Sequence, residues 1–249
     1  MSVSRCKTPQ GRPVSTLRGK HPLQWAMHPT TMRVAVLSSG GKDSAAAWWW
    51  AMCKGWDIVS IVTVEIEDGD SHMFQVPSTT WVEHQAKLAG LPWLRVPASG
   101  TVDEEISFLE KGLSSLEIEG IVSGALRSDF QKERLECMCQ RLGLHSFTPL
   151  WHQTPIEHLR GMVEAGFEIM LTSVSCEGLE HSWLGHVLTR ESLEQLDELS
   201  QRYRFNVDGE GGEYETFVSG GPIWSPSLRI TGEAKFTASR GVFEIYSVD

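Results

Sequence analysis

The apolar run Met32-Arg33-Val34-Ala35-Val36-Leu37 leads straight into Ser38-Ser39-Gly40-Gly41-Lys42-Asp43-Ser44 and then into Ala45-Ala46-Ala47-Trp48. That order predicts a strand, a tight turn and a helix start. Adjacent glycines permit positive φ and let a ligand approach the backbone, while the first helical turn offers unpaired N–H groups at the positive end of its dipole. Such a turn suits an anion, phosphate above all. Lys42 adds a point charge for phosphate oxygens, and Ser39 and Ser44 add hydroxyl donors. Asp43 would repel phosphate unless a divalent cation bridged the two, so the pattern implies magnesium (Mg2+) together with a nucleotide. A Walker A loop is excluded, because Asp43 stands where that pattern needs Ser or Thr after Gly-Lys.

The spacing Ser-Gly-Gly-x-Asp-Ser from Ser39 to Ser44 resembles the pyrophosphate loop of the PP-loop ATP pyrophosphatases. That resemblance implies cleavage of ATP between its α and β phosphates, with a substrate oxygen activated as an adenylate.

The 249 residues leave room for one large or two small domains and a sizeable core. No uninterrupted apolar run approaches the ~18–20 residues of a membrane helix, so no membrane association is expected. Cys6, Cys53, Cys137, Cys139 and Cys176 are odd in number and form no Cys-x-x-Cys pair, which fits a reduced, cytoplasmic setting. Net charge is −10, yet residues 1–31 hold five basic groups and no acidic one, leaving 17 basic against 32 acidic residues in 32–249. So acidic a body is a poor grip for nucleic acid and suits a basic or cationic protein partner. Residues 1–31, with four prolines and no apolar periodicity, are expected to be a disordered basic arm, or an extension upstream of a natural start at Met32.

Alternating strand and helix patterns continue from the loop. A helix over Asp43–Lys54 closes at Gly55, and the β-branched run Asp57–Val64 reads as a buried parallel strand. A helix ending at Gly90, a strand over Trp93–Val96, a capping box at Thr101 and Glu104, a strand over Gly120–Ala125 and a helix from Ser128 to about Leu142 follow. This predicts an α/β, Rossmann-like parallel sheet over 32–149 with ligands at the carboxyl ends of its strands. Past Pro149 the texture changes: Thr154-Pro155-Ile156-Glu157 starts a helix, Phe167–Ser175 reads as a strand, and Glu191–Tyr203 as an amphipathic helix. Short strands at Tyr214–Val218, Leu228–Thr231 and Val242–Val248 complete a smaller α+β lobe over 150–249.

Asp208-Gly209-Glu210-Gly211-Gly212-Glu213-Tyr214-Glu215-Thr216-Phe217 concentrates four carboxylates and three glycines in a turn before a strand. By itself it reads equally as a solvated acidic turn. Joined to the Ser39–Ser44 loop, its Gly209–Thr216 segment resembles the diphthine–ammonia ligase family, as does Gly124-Ala125-Leu126-Arg127-Ser128-Asp129-Phe130-Gln131, with Phe130 where the family usually has Tyr. Pro149-Leu150-Trp151 and Trp183-Leu184-Gly185 extend the likeness from about Met32 to Trp224. The resemblance implies a PP-loop (HUP-type) fold and a reaction: ATP adenylates the carboxylate of diphthine, a modified histidine on translation elongation factor 2, and ammonia displaces AMP to leave diphthamide. Ammonium is expected to come from solution. The sequence is compatible with a homo-oligomer.

On this reading Ser39, Gly40, Gly41 and Ser44 cradle phosphates, Lys42 stabilises the departing pyrophosphate, Asp43 holds Mg2+, and Gly124 lets the nucleotide approach. Ser128, Asp129 and Arg134 open the next helix on the same side and are expected to reach phosphate or substrate carboxylate; for Arg134 a salt bridge to Glu133 or Glu136 is the equal alternative. Glu210, Glu213, Tyr214 and Glu215 would form an acidic, aromatic-edged pocket for the quaternary ammonium of diphthine, with Glu210 and Glu213 in the chemistry. His72-Met73-Phe74 is a weaker candidate for adenine or substrate contact, and Cys176 has no catalytic task, because adenylation needs no nucleophile. Competing readings are a PP-loop ligase with a tRNA or small-metabolite acceptor, and a non-catalytic nucleotide-binding module.

Overall fold

A computed structural model describes residues 31–67, 79–237 and 240–249. Residues 31–249 form one compact unit. The expected arm over 1–31, its last residue apart, and His72-Met73-Phe74 lie outside the described residues.

Two sheets organise the chain. The first is five-stranded and parallel, built from β1 (Arg33–Leu37), β2 (Asp57–Ile66), β3 (Trp93–Ala98), β4 (Gly120–Val122) and β5 (His145–Phe147) in the order β3-β2-β1-β4-β5. The chain runs outward from β1 to β3 and then returns to the other side of β1. The strand order therefore reverses between β1 and β4, the crevice where open α/β sheets bind ligands. Helices α1 (Lys42–Cys53), α2 (Val82–Leu88), α3 (Val102–Leu113) and α4 (Asp129–Leu142) connect these strands.

Strand alternation divides the core. Val34, Val36, Ile61 and Val122 face Ala47 and Trp48 of α1, and Val82 and Ala86 of α2. Ala35, Val62, Val64 and Ile121 face Ile106 and Leu109 of α3, and Leu135 and Met138 of α4. Local signals set the helix ends: Thr101 and Glu104 complete the expected capping box at α3, and Gly143 closes α4 at φ +69°.

The second sheet is antiparallel, with β6 (Glu168–Val174), β7 (Tyr214–Gly220), β8 (Ile230–Thr237) and β9 (Arg240–Val248) in the order β7-β6-β9-β8. Helices α5 (Pro155–Glu164) and α6 (Arg190–Tyr203) belong to this half of the sequence. Its β6 residues Ile169 and Leu171, with Val218 and Trp224, join the same apolar cluster as Trp48 and Val36, so one core runs beneath both sheets.

Differences from the sequence expectations are local. β5 is an unanticipated strand of three residues. β8 runs to Thr237 instead of ending at Thr231, because its pairing with β9 satisfies a segment whose own pattern is weak. β4 stops at Val122, two residues before Gly124, where the backbone leaves the sheet to edge the crevice.

Candidate functional site

Gly40 takes φ +85°, as the adjacent glycines suggested. A side chain there would also meet the Phe217 ring at 3.1 Å. The turn is held by its own serines: Ser38 Oγ accepts from Gly40 N at 3.2 Å and donates to Ser44 Oγ at 3.2 Å, and Ser44 Oγ donates to Gly41 O at 3.0 Å.

The start of α1 has no cap from its own N-cap residue, Gly41. Instead Lys42 N donates to Thr216 Oγ1 at 3.1 Å, a cap supplied across 174 residues by the strand that follows the acidic turn. Val218 N donates to Gly40 O at 2.9 Å, and the Gln85 amide donates to both Gly40 O at 3.1 Å and Val218 O at 2.7 Å. The two glycine-rich motifs of the sequence are therefore one assembly.

Asp43 stands at its centre. Lys42 Nζ lies 2.7 Å from its Oδ2, and His158 Nε2 of α5 lies 3.1 Å from its Oδ1. Burial opposes ionisation of Asp43, but the Lys42 ammonium and the bonded His158 imidazole outweigh it and hold the carboxyl below its ordinary range. Lys42 itself is buried, with its ammonium 5.7 Å from the centroid of the Tyr214 ring.

A cleft opens at the carboxyl ends of β1, β2 and β4, over the α4 face of the sheet. Ser38, Ser39, Asp43 and Ser44 line one part, Leu37, Val62, Val64 and Leu135 an apolar part, and Ser123, Gly124, Ala125, Gln131 and Glu210 the remainder. Glu210 is thereby brought into the same cavity as the glycine loop. Its Oε1 accepts from Arg127 N at 3.3 Å, and burial, then the negative charge of Asp43, pushes its carboxyl up. Arg127 fixes the turn from the other side: its guanidinium donates to Asp208 Oδ1 at 2.8 Å and approaches Oδ2 at 2.8 Å, with the Asp208 side chain 1% exposed.

Several anticipated residues are placed otherwise. Glu213 folds back into its own turn, accepting from Asn206 N at 2.9 Å, Asn206 Nδ2 at 2.7 Å and Gly211 N at 2.8 Å, and it does not line the cleft. Tyr214 is buried, its hydroxyl donating to Val207 O at 2.7 Å and its ring facing Lys42, so it offers no open aromatic edge to a cationic substrate. Glu215 is half-buried on β7 opposite Ser173, also outside the cleft lining. A Cβ on Gly124 would meet the Asp43 and Ser44 backbone at 2.6–2.7 Å, so its missing side chain makes room for α1 first.

On α4, Ser128 Oγ accepts from Gln131 N at 3.3 Å as the helix cap, and Asp129 is exposed. Arg134 stacks on Phe130, with its guanidinium carbon 3.5 Å from the ring centroid, and donates to Phe130 O at 3.2 Å. It faces the groove between α3 and α4; Gln131 and Leu135 are the α4 residues that reach the cleft. Gln131 and Leu135 are four apart and share one face, while Arg134 is drawn over Phe130, four residues before it, on the other side. Cys176 is raised to about 11 by burial and then by Glu213, in keeping with an inert thiol.

Sequence reading missed Ser38, Thr216, Gln85, His158 and the Arg127–Asp208 pair. Ser38 and Thr216 sit inside the quoted motifs. Arg127 and Asp208 also sit inside quoted motifs, though their pairing across 81 residues is not legible there, and His158 carried no local signal, because its partner lies 115 residues away.

Matches to known proteins cover both motifs. A family model for the diphthamide synthase N-terminal domain matches residues 32–146, and one for the diphthamide synthase C-terminal domain matches residues 154–248. The chain is 33% identical over 227 residues to the diphthine–ammonia ligase of Rattus norvegicus, covering 82% of this chain and 85% of the relative. It is 32% identical over 221 residues to that of Homo sapiens, covering 79% and 82%. With that of Schizosaccharomyces pombe it shares 30% identity over 230 residues, 84% of this chain but 38% of that relative. The glycine loop and the acidic turn, joined at the helix start, thus belong to a chain that is a member of the diphthamide synthase family.

Proposed function

We infer that the protein is an ATP-dependent carbon–nitrogen ligase of diphthamide biosynthesis, acting on diphthine carried by translation elongation factor 2. Relatives named diphthine–ammonia ligase over most of the chain support the ATP-dependent amidation. One observation carries the placement of the chemistry: Asp43 and Glu210 line one cleft, and Thr216 and Val218 bind the loop to the strand that follows Glu210.

The chain's residues divide the work by their chemistry. The glycine loop, with Ser39, Gly40 and Gly41, binds the ATP phosphates at the positive end of the α1 dipole. Lys42 offsets the charge that develops on the leaving pyrophosphate. Ser44 contributes by shaping the turn, since its hydrogen is given to Gly41 O. The apolar part at Leu37, Val62, Val64 and Leu135 suits the adenosine.

Mg2+ fits this donor set. Asp43 is held below its ordinary range, and Glu210 in the same cleft is pushed up by burial first and then by the charge of Asp43. One or two carboxylates beside substrate phosphates are what Mg2+ ordinarily takes in nucleotide sites. Asp43 would hold the ion, which would supply charge neutralisation for the phosphates.

Glu210 orients the acceptor end, with its carboxylate attracting the cationic group of diphthine. The acceptor carboxylate attacks the α phosphorus, pyrophosphate leaves, and ammonia then attacks the acyl carbon, releasing AMP and leaving the amide. The acidic body of the chain, −10 overall, favours a basic patch on the protein that carries the acceptor. A reduced cytoplasmic setting accords with the free cysteines among the described residues.

Incubation with ATP, Mg2+, ammonium and diphthine-bearing elongation factor 2 tests the reading. AMP should form in step with loss of one carboxylate from the factor. ADP as the nucleotide product rejects it, and AMP formation indifferent to the factor reassigns the acceptor.

A further inference from the structure

We propose that His158 is a positioning residue for Asp43, holding the carboxylate that would take Mg2+ in the proposed reaction. His158 lies one turn into α5, with its side chain 5% exposed and its backbone N bonded to Thr154 O at 2.9 Å. Its Nε2 reaches Asp43 Oδ1 at 3.1 Å, while Lys42 Nζ takes Oδ2 at 2.7 Å. An ionised carboxylate only accepts, so Nε2 must carry the hydrogen.

The carboxylate is therefore gripped from two directions, by its chain neighbour and by a helix 115 residues away. Both bonds are charge-assisted, and together they leave Asp43 one orientation about its side-chain torsions. His158 does not line the cleft; it sits behind Asp43 among Trp49, Leu150 and Met162. Any influence on the reaction must then pass through Asp43. The same bond ties α5 to the first turn of α1, so it places a residue of the second half of the chain in control of the loop's only carboxylate.

Three proteins decide the matter: the parent, His158→Leu, which removes the donor, and His158→Gln, whose amide can donate in its place. In the amidation assay, which rests on the ligase reading, His158→Leu should raise the Mg2+ concentration for half-maximal AMP release about tenfold, the scale of a lost hydrogen bond to a charged group. His158→Gln should recover most of that loss. Calorimetric titration with ATP, in EDTA and in Mg2+, reads the same effect without turnover. Affinity in EDTA should be alike in all three proteins, and the Mg2+-dependent gain should shrink in His158→Leu and return in His158→Gln.

A parent that forms no AMP would sink the ligase reading while leaving this binding comparison to decide the role of His158. The proposal is overturned if His158→Leu matches the parent in that gain. It is overturned equally if His158→Leu and His158→Gln behave alike, or if His158→Leu loses ATP affinity already in EDTA together with melting temperature, the mark of a purely structural residue.

Discussion

Glu210 and Glu213, three positions apart in one turn, have opposite fates. Glu213 meets three N–H donors and is spent on the turn, whereas Glu210 meets one long bond from Arg127 N and the charge of Asp43. A carboxyl pushed up in the folded chain binds its proton more tightly there than in the unfolded chain. Its ionised form therefore costs folding free energy at neutral pH, a cost that vanishes as the pH falls below the ordinary carboxylate range. Replacing Glu210 with Gln should raise the melting temperature near neutrality and lose that advantage in acid. Scanning calorimetry across pH checks this, and an unchanged or lower melting temperature near neutrality contradicts it. The same pair shows the limit of sequence at this scale. Residue types in the turn marked it as acidic and tight, but only the positions of Asn206, Gly211 and Arg127 decide which carboxylate faces the cleft, and those depend on the folded turn.

At the scale of elements, α1 is capped from β7. A hydroxyl cap is worth ~1 kcal/mol, up to about 2 kcal/mol. Thr216→Val keeps the shape of the side chain and removes the acceptor, so it should destabilise the fold by about that amount in urea unfolding and weaken ATP binding through a loosened α1 start. Wild-type stability with unaltered ATP affinity would show that the contact matters little. Helices announced themselves in the sequence wherever a cap and an apolar face coincided, as at Thr101 and Glu104 for α3, and the cap at Ser128 marked the start of α4. β5 and the outer half of β8 did not, because a three-residue strand has no period to read and β8 owes its length to its partner β9. The loop's location was legible from Ser38 to Ser44, but its support from Gln85, Val218 and Thr216 was not. Those contacts join residues whose neighbours in sequence give no hint of one another.

Across residues 31–249, the cluster holding Val36, Trp48, Leu171 and Trp224 lies under both sheets, with Trp48 and Trp224 ring centroids 5.4 Å apart. Two sheets on one core should unfold together. Trp48→Ala, at a fully buried position, should cost about 3–5 kcal/mol and lower the stability of both sheets in a single transition. Two separated transitions, seen by tryptophan fluorescence and far-ultraviolet dichroism, would contradict that continuity. The sheet alternation predicted a site at the strand ends, and a cleft opens at the β1–β4 reversal, where the core stops. What happens in that cleft is tested most directly by the path of one oxygen atom. With the acceptor carboxylate of elongation factor 2 labelled with oxygen-18, a single turnover should place one labelled oxygen in the phosphate of AMP. Label found only in inorganic phosphate, or AMP released without label, would contradict attack by the carboxylate on the α phosphorus and with it the proposed chemistry.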